Sequence, residues 1–256
     1  MTAAIAQPQQ ISALGWIRLA VRLIGIIALL TTCISLYYIW KLAGADHNPW
    51  PRLCLAGVGR VAGLRVHIEG QRVPGGAMLL ANHVSWLDIP AIASATGAAF
   101  VAHDGLATTP IVRWLCQMND TVFIARNNRT TVATQVEQIR SAIRDTGALA
   151  IFPEGTTSDG TGVLPFKSSL LSALDPMPAG IAVQPVLLDY GPKAAEIAWI
   201  GEEHGIDNFR RILARHGPLH VRVRLLPPLA GDALTNRKVM AAAARDAITA
   251  ALPASS

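Results

Sequence analysis

The chain has 256 residues, 51% of them hydrophobic and only 15% charged, and a formal charge of +5. The charged share lies well below the ~25% of ordinary soluble domains, which excludes a disordered chain and points to contact with lipid. Three cysteines in no CxxC spacing (Cys33, Cys54 and Cys116) argue against a disulfide scaffold and a zinc site, and the cations, 18 of 22 of them Arg, are scattered with no nucleic-acid motif, so nucleic acid is not an expected partner.

The first predicted element is a membrane segment. Leu23–Trp40 is an uncharged run of 18 residues between Arg22 and Lys41. As a helix it is about 27 Å long, enough to cross or deeply enter a bilayer core. Tyr37, Tyr38 and Trp40 gather at one end, where amphipathic rings favour the headgroup level. A cleaved signal peptide ending at Ala43-Gly44-Ala45 and a buried core helix are the competing readings; the run is longer than the ~7–15 residues of a signal peptide's apolar region. Arg18 and Arg22 precede the run and Lys41, Arg52 and Arg60 follow it, so charge gives no orientation. Trp50–Leu64 follows as an amphipathic helix, lying on the membrane or on the core. Residues 1–63 are expected to form the membrane-anchoring helices, and residues 64–256 a separate α/β domain.

From residue 64 short apolar runs alternate with helical patterns. Leu64–Gly70, Ala77–Ala81, Ala98–His103, Thr121–Arg126, Ala148–Phe152, Ile181–Tyr190, Glu196–Ile200 and His220–Leu226 read as strands. Thr131–Thr146 reads as a helix, with Val132, Val136, Ile139 and Ile143 on one face and Gly147 as its stop. Thr108–Gln117 and Ser168–Leu174 are weaker helical candidates, and Asn236–Leu252 is an Ala-rich closing helix capped by Asn236. The alternation predicts an α/β fold, a mostly parallel central sheet flanked by helices.

Three constellations carry chemistry. Asn82-His83-Val84-Ser85-Trp86-Leu87-Asp88 follows an apolar strand, where α/β folds place ligands. An imidazole can accept a proton, and a carboxylate can fix its tautomer. Five residues apart, His83 and Asp88 would not share a helix face; they meet only if His83 precedes a helix whose first turn holds Asp88. Taken alone, the segment reads equally well as a capping Asp in a polar loop. Phe152-Pro153-Glu154-Gly155-Thr156-Thr157-Ser158-Asp159-Gly160 also follows an apolar strand; Glu154 suits a substrate hydroxyl or a neighbouring loop, and the glycines and hydroxyls suit an anion. Thr121–Arg126 ends in a cation that could fork onto a phosphate or carboxylate.

Together these blocks resemble the glycerolipid acyltransferases, typified by 1-acylglycerol-3-phosphate acyltransferase. His83 and Asp88 stand as in the family's NHxxxxD block. Thr121–Arg126 resembles its second block, Phe152–Gly160 its FPEGTRS block, and Val183-Gln184-Pro185-Val186 its fourth; Phe166-Lys167 resembles the FK after the third. The resemblance covers residues 64 to 230 in the family's order. It implies an O-acyltransferase that moves an acyl group from a thioester to a lysolipid hydroxyl, without cofactor or metal. His83 would be the general base and Asp88 its orienting partner. Arg126, Glu154, Gly155, Thr156, Thr157, Asp159 and Lys167 would bind substrate. The donor would be acyl-CoA or acyl-acyl carrier protein, and the place of work the cytoplasmic face of a bacterial inner membrane.

Two departures bear on the acceptor. The usual Arg of the third block is Thr157, and the usual Lys before the second block is His103. Loss of two cations, with Asp159 nearby, should weaken a phosphate monoester and suit a zwitterionic acceptor such as lyso-ornithine lipid, which a bacterial branch of the family acylates. Lysophosphatidate, the family's commoner acceptor, is the first expectation and lyso-ornithine lipid the second. A non-catalytic lipid-binding protein and a thioesterase are the readings from other classes.

Overall fold

The computed structural model describes residues 11–44, 48–103, 110–124, 132–175 and 180–253. Two N-terminal helices, α1 (Ala13–Leu42) and α2 (Trp50–Val61), lead into a seven-stranded sheet. Its strands are β1 (Leu64–Gly70), β2 (Ala77–Ala81), β3 (Ala99–His103), β4 (Val122–Ile124), β5 (Ala148–Ile151), β6 (Ala182–Asp189) and β7 (Leu219–Leu225). Their order is β1-β7-β6-β2-β5-β3-β4. All neighbours are parallel except β6 and β7. Central β2 and β5 are buried along their whole length, as AMLLA and ALAI require: a strand covered by helices on both faces needs continuous apolar sequence. Edge-side β7 instead alternates, with Leu219, Val221, Val223 and Leu225 inward and His220 and Arg222 outward.

The helices between strands are α3 (Asp88–Thr96), α4 (Pro110–Met118), α5 (Val132–Thr146), the single turn α6 (Ala194–Ile197) and α7 (Gly205–Ala214), and α8 (Arg237–Ala251) follows the last strand. Asn236 caps α8 by accepting from the amides of Lys238 and Val239. Gly147 closes α5 with a left-handed backbone, φ +74°. The strand expected over Glu196–Ile200 is corrected: its first part belongs to the helical turn α6, because Ala194, Ile197 and Ala198 are buried at helical rather than alternating spacing. Ser168–Leu174 is a 3-10 helix. The helix α7 was not expected from sequence; Asn208, Ile212 and Leu213 form its buried stripe.

α1 is the one helix among the described residues long and apolar enough to cross a membrane. At 1.5 Å per residue its 30 residues extend about 45 Å. Ile17, Val21, Ile24 and Ile27 are exposed along it, while Gly15, Ile26 and Cys33 face the protein. Thr31, Thr32 and Ser35 return their hydroxyls to carbonyls one turn back, so these three groups are satisfied within the helix. α1 is tied to the sheet domain through α7: Arg22 donates to the carbonyls of Leu213 and Arg215, each at 2.9 Å, at the negative end of the α7 dipole. α2 packs closely on α1 at Gly57, where an added Cβ would stand 2.6 Å from Leu29.

Candidate active site

The site is built at the carboxyl ends of β2 and β5, which are hydrogen-bonded neighbours in register Leu80 to Ile151. That pairing brings together two segments some seventy residues apart in sequence. At the end of β2, Asn82 exchanges hydrogen bonds with the backbone of Leu188 on β6, at 2.7 and 3.1 Å, and so fixes where the strand stops. His83 follows in the turn before α3, and Asp88 is the first residue of that helix. The imidazole Nδ1 lies 2.7 Å from Oδ2 of Asp88. The same oxygen accepts from the amides of Val84 and Ser85, at 2.6 and 2.9 Å, and Oδ1 accepts from the hydroxyl of Tyr190 at 2.6 Å.

This geometry sets the chemistry. Asp88 is fully buried, yet four donors surround its carboxylate, so its charge is solvated by the protein. A carboxylate held this way fixes the Nδ1–H tautomer of His83 and leaves Nε2 to act as a base. The His83 ring stacks on Phe152 with centroids 4.1 Å apart and planes 16° apart, which fixes its orientation as well.

The loop after β5 holds His83 from the other side. Glu154 Oε1 accepts from the His83 amide at 3.0 Å, and the His83 carbonyl accepts from both the amide and the hydroxyl of Ser158, at 2.7 and 3.0 Å. Burial pushes the Glu154 carboxyl up to about 7, against the opposing pull of backbone hydrogen bonds from His83 and Leu164. The loop needs glycine at two places. Gly155 has φ +64°, and a Cβ there would press on Lys167 and Leu170; Gly160 has φ +77°, and its Cβ would stand 2.7 Å from that of Ala194.

His83 opens onto a cavity of about 930 Å³. Its walls are mainly apolar, among them Leu55, Ile89, Phe100, Leu115 and Leu170. Asn119 and Thr121 add polar groups, and the longest polar stretch is Gly155, Thr156, Thr157, Gly201, Glu202 and Glu203. An apolar chamber with a polar end and a base on its wall suits an amphiphile with a reacting hydroxyl near the boundary.

The expected site residues fall into distinct places. His83 and Asp88 meet, with His83 ahead of the helix and Asp88 in its first turn. Gly155, Thr156 and Thr157 line the cavity, and the Thr157 hydroxyl donates to the carbonyl of Trp199. Lys167 is exposed, and its Nζ lies 3.1 Å from where a Cβ on Gly155 would stand. Glu154 sits behind His83, bonded to its backbone. Asp159 is spent on the amide and hydroxyl of Thr161, at 2.9 and 2.8 Å. Arg126 lies outside the described residues, as does the side chain of His103. Among the described residues no three His, Cys, Asp or Glu side chains gather as a metal site.

Sequence reasoning missed Tyr190, Trp199 and Glu202. Tyr190 had a signal, since it ends a strand beside the one that carries His83. Trp199 and Glu202 had none, because they reach the cavity on a connection between two helices, one of them unforeseen.

Residues 64–189 match the family model described as Acyltransferase. The chain is 32% identical to a lyso-ornithine lipid O-acyltransferase of Rhodobacter capsulatus over 86% of this chain and 83% of that one. It is 33% identical to the protein of that name from Pseudomonas aeruginosa over 90% and 91% of the two chains. It is 36% identical to a 1-acyl-sn-glycerol-3-phosphate acyltransferase of Neisseria gonorrhoeae, over 52% and 53%. The crystal structure of the 1-acyl-sn-glycerophosphate acyltransferase PlsC from Thermotoga maritima shares the fold, with a TM-score of 0.66 at 19% identity over 94% and 97%.

Proposed function

The chain belongs to the acyltransferase family, and from that premise we propose that it is a membrane-associated enzyme that O-acylates lyso-ornithine lipid. The observation that carries the chemistry is the 2.7 Å bond from His83 to a fully buried, four-times-bonded Asp88 beside a mainly apolar cavity. In the reaction, Nε2 of His83 takes the proton of the lysolipid hydroxyl as its oxygen attacks the thioester carbonyl. A tetrahedral oxyanion forms while Asp88 stabilises the imidazolium. The C–S bond then breaks, and the departing thiolate takes the proton from His83. The products are an ester and a free thiol, so the transfer balances without a cofactor. The donor would be acyl-CoA or acyl-acyl carrier protein, both of which a basic protein attracts. Both occur inside the cell, which supports the cytoplasmic face of the membrane as the place of work.

Two observations support lyso-ornithine lipid ahead of the phosphate acceptor. The relatives with that name match this chain over most of both lengths. The residue that replaces the family's usual cation, Thr157, has its hydroxyl engaged by Trp199. The second reading, lysophosphatidate, is favoured by the Neisseria relative across half the chain.

The test offers each acceptor separately with a labelled acyl thioester, beside His83→Ala. Labelled ornithine lipid, absent in the variant, is the expected result. Labelled phosphatidate alone would overturn the acceptor, and hydrolysis of the thioester without any labelled lipid would make the protein a thioesterase.

A further inference from the structure

The polar end of the cavity presents a carboxylate whose charge is not matched. Glu202 and Glu203 both line it, on the connection between α6 and α7. Glu203 is fully engaged. It accepts from Nε and Nη2 of Arg211 at 2.9 and 2.8 Å and from Nδ2 of Asn208 at 2.9 Å. Arg211 also holds the carbonyls of Glu196 and Ala198, and Asn208 those of Ile197 and Ala198. The Trp199 amide donates to Val84 and its indole to the Glu203 carbonyl. This connection is therefore a fixed wall, tied both to α7 and to the turn that carries His83.

Glu202 stands in that wall, exposed, with no ion-pair partner among the described residues. No Lys or Arg is among the described residues that line the cavity. A cation approaches from another element, Lys167, beside Gly155. The cavity thus offers one fixed negative charge on its polar lining and one positive charge next to it. A phosphate monoester would meet Glu202 with like charge, which is a penalty specific to that acceptor. A head group with an ammonium and a carboxylate would meet a complement to each.

Resting on the reading that the acceptor is lyso-ornithine lipid, we propose that Glu202 receives the acceptor's ammonium group and selects it over a phosphate head. Glu202 is then a specificity residue of this site.

The test uses the full-length protein in detergent micelles with a labelled acyl thioester. Three acceptors are compared: lyso-ornithine lipid, the same lipid with its ammonium N-acetylated, and lysophosphatidate. In Glu202→Gln, kcat/KM for lyso-ornithine lipid should fall about fivefold, the size of a partly exposed ion pair. The value for the acetylated lipid should not change, and that for lysophosphatidate should rise. An equal fall with charged and acetylated lipid, or no change with either, overturns the role of Glu202 and leaves the acceptor reading intact. A wild-type protein that acylates only lysophosphatidate overturns both.

Discussion

Tyr190, at the end of β6, donates a 2.6 Å hydrogen bond to Oδ1 of Asp88, and both side chains are buried. The bond completes the shell of donors around the carboxylate that orients His83. Its removal leaves a buried charged oxygen short of one partner, which costs about 1–3 kcal/mol. Tyr190→Phe keeps the ring and loses only the hydroxyl. We expect lower stability by about that amount and a kcat reduced about tenfold, with KM for the acceptor unchanged. Chemical denaturation and steady-state kinetics together check this.

His83→Ala should lower kcat by about 10²–10⁴, the usual contribution of a positioned general base, with little loss of stability. Asp88→Asn should be worse for folding than His83→Ala. Four donors share the two oxygens of Asp88, three on Oδ2 and the Tyr190 hydroxyl on Oδ1, and an amide has only one oxygen, so in the variant at least one donor faces Nδ2. Rates and melting curves of the two variants separate the roles.

Glu154 links the fold to pH. Burial raises its carboxyl from 4.5 to about 7 in the folded protein. The folded state therefore holds a proton that the unfolded state has lost between those values. Stability should fall as pH rises through that window, by this group's share. Glu154→Gln keeps an oxygen for the His83 amide and removes the titration. Its stability should be flatter than the wild type's between pH 4.5 and 7 in denaturant titrations. Parallel curves would show that Glu154 does not titrate in that window.

Thr157→Arg restores the cation common at this place in the family and removes the hydroxyl bonded to Trp199. The ratio of kcat/KM for lysophosphatidate over lyso-ornithine lipid should rise several-fold. An unchanged ratio would mean that charge at position 157 does not govern the head group.

Much of the fold was legible in the sequence because its central strands are plain. β2 and β5 are continuous apolar runs that end in functional loops, so strand position and site position coincide. The His83–Asp88 contact was legible for the same reason: five residues fit only a turn followed by a helix start, and that is how they lie. Glu196–Ile200 misled because four of its five residues are apolar, and so short a continuous run fits either period. The segment Gly205–Ala214 was passed over because polar and charged residues outnumber its buried stripe. Tyr190, Trp199 and Glu202 depend on contacts across sheet neighbours and across a connection between helices, which a linear pattern does not carry.

The central claim is that His83 drives acyl transfer onto lyso-ornithine lipid. It is tested most directly in a bacterium that makes that lysolipid and cannot acylate it. Wild-type protein and His83→Ala are expressed to equal amounts in its membranes, and the lipids are read by mass spectrometry. We predict ornithine lipid with the wild type and only the lyso form with His83→Ala. Lyso-ornithine lipid left unchanged by membrane-bound wild-type protein, or consumed equally by His83→Ala, would contradict the account.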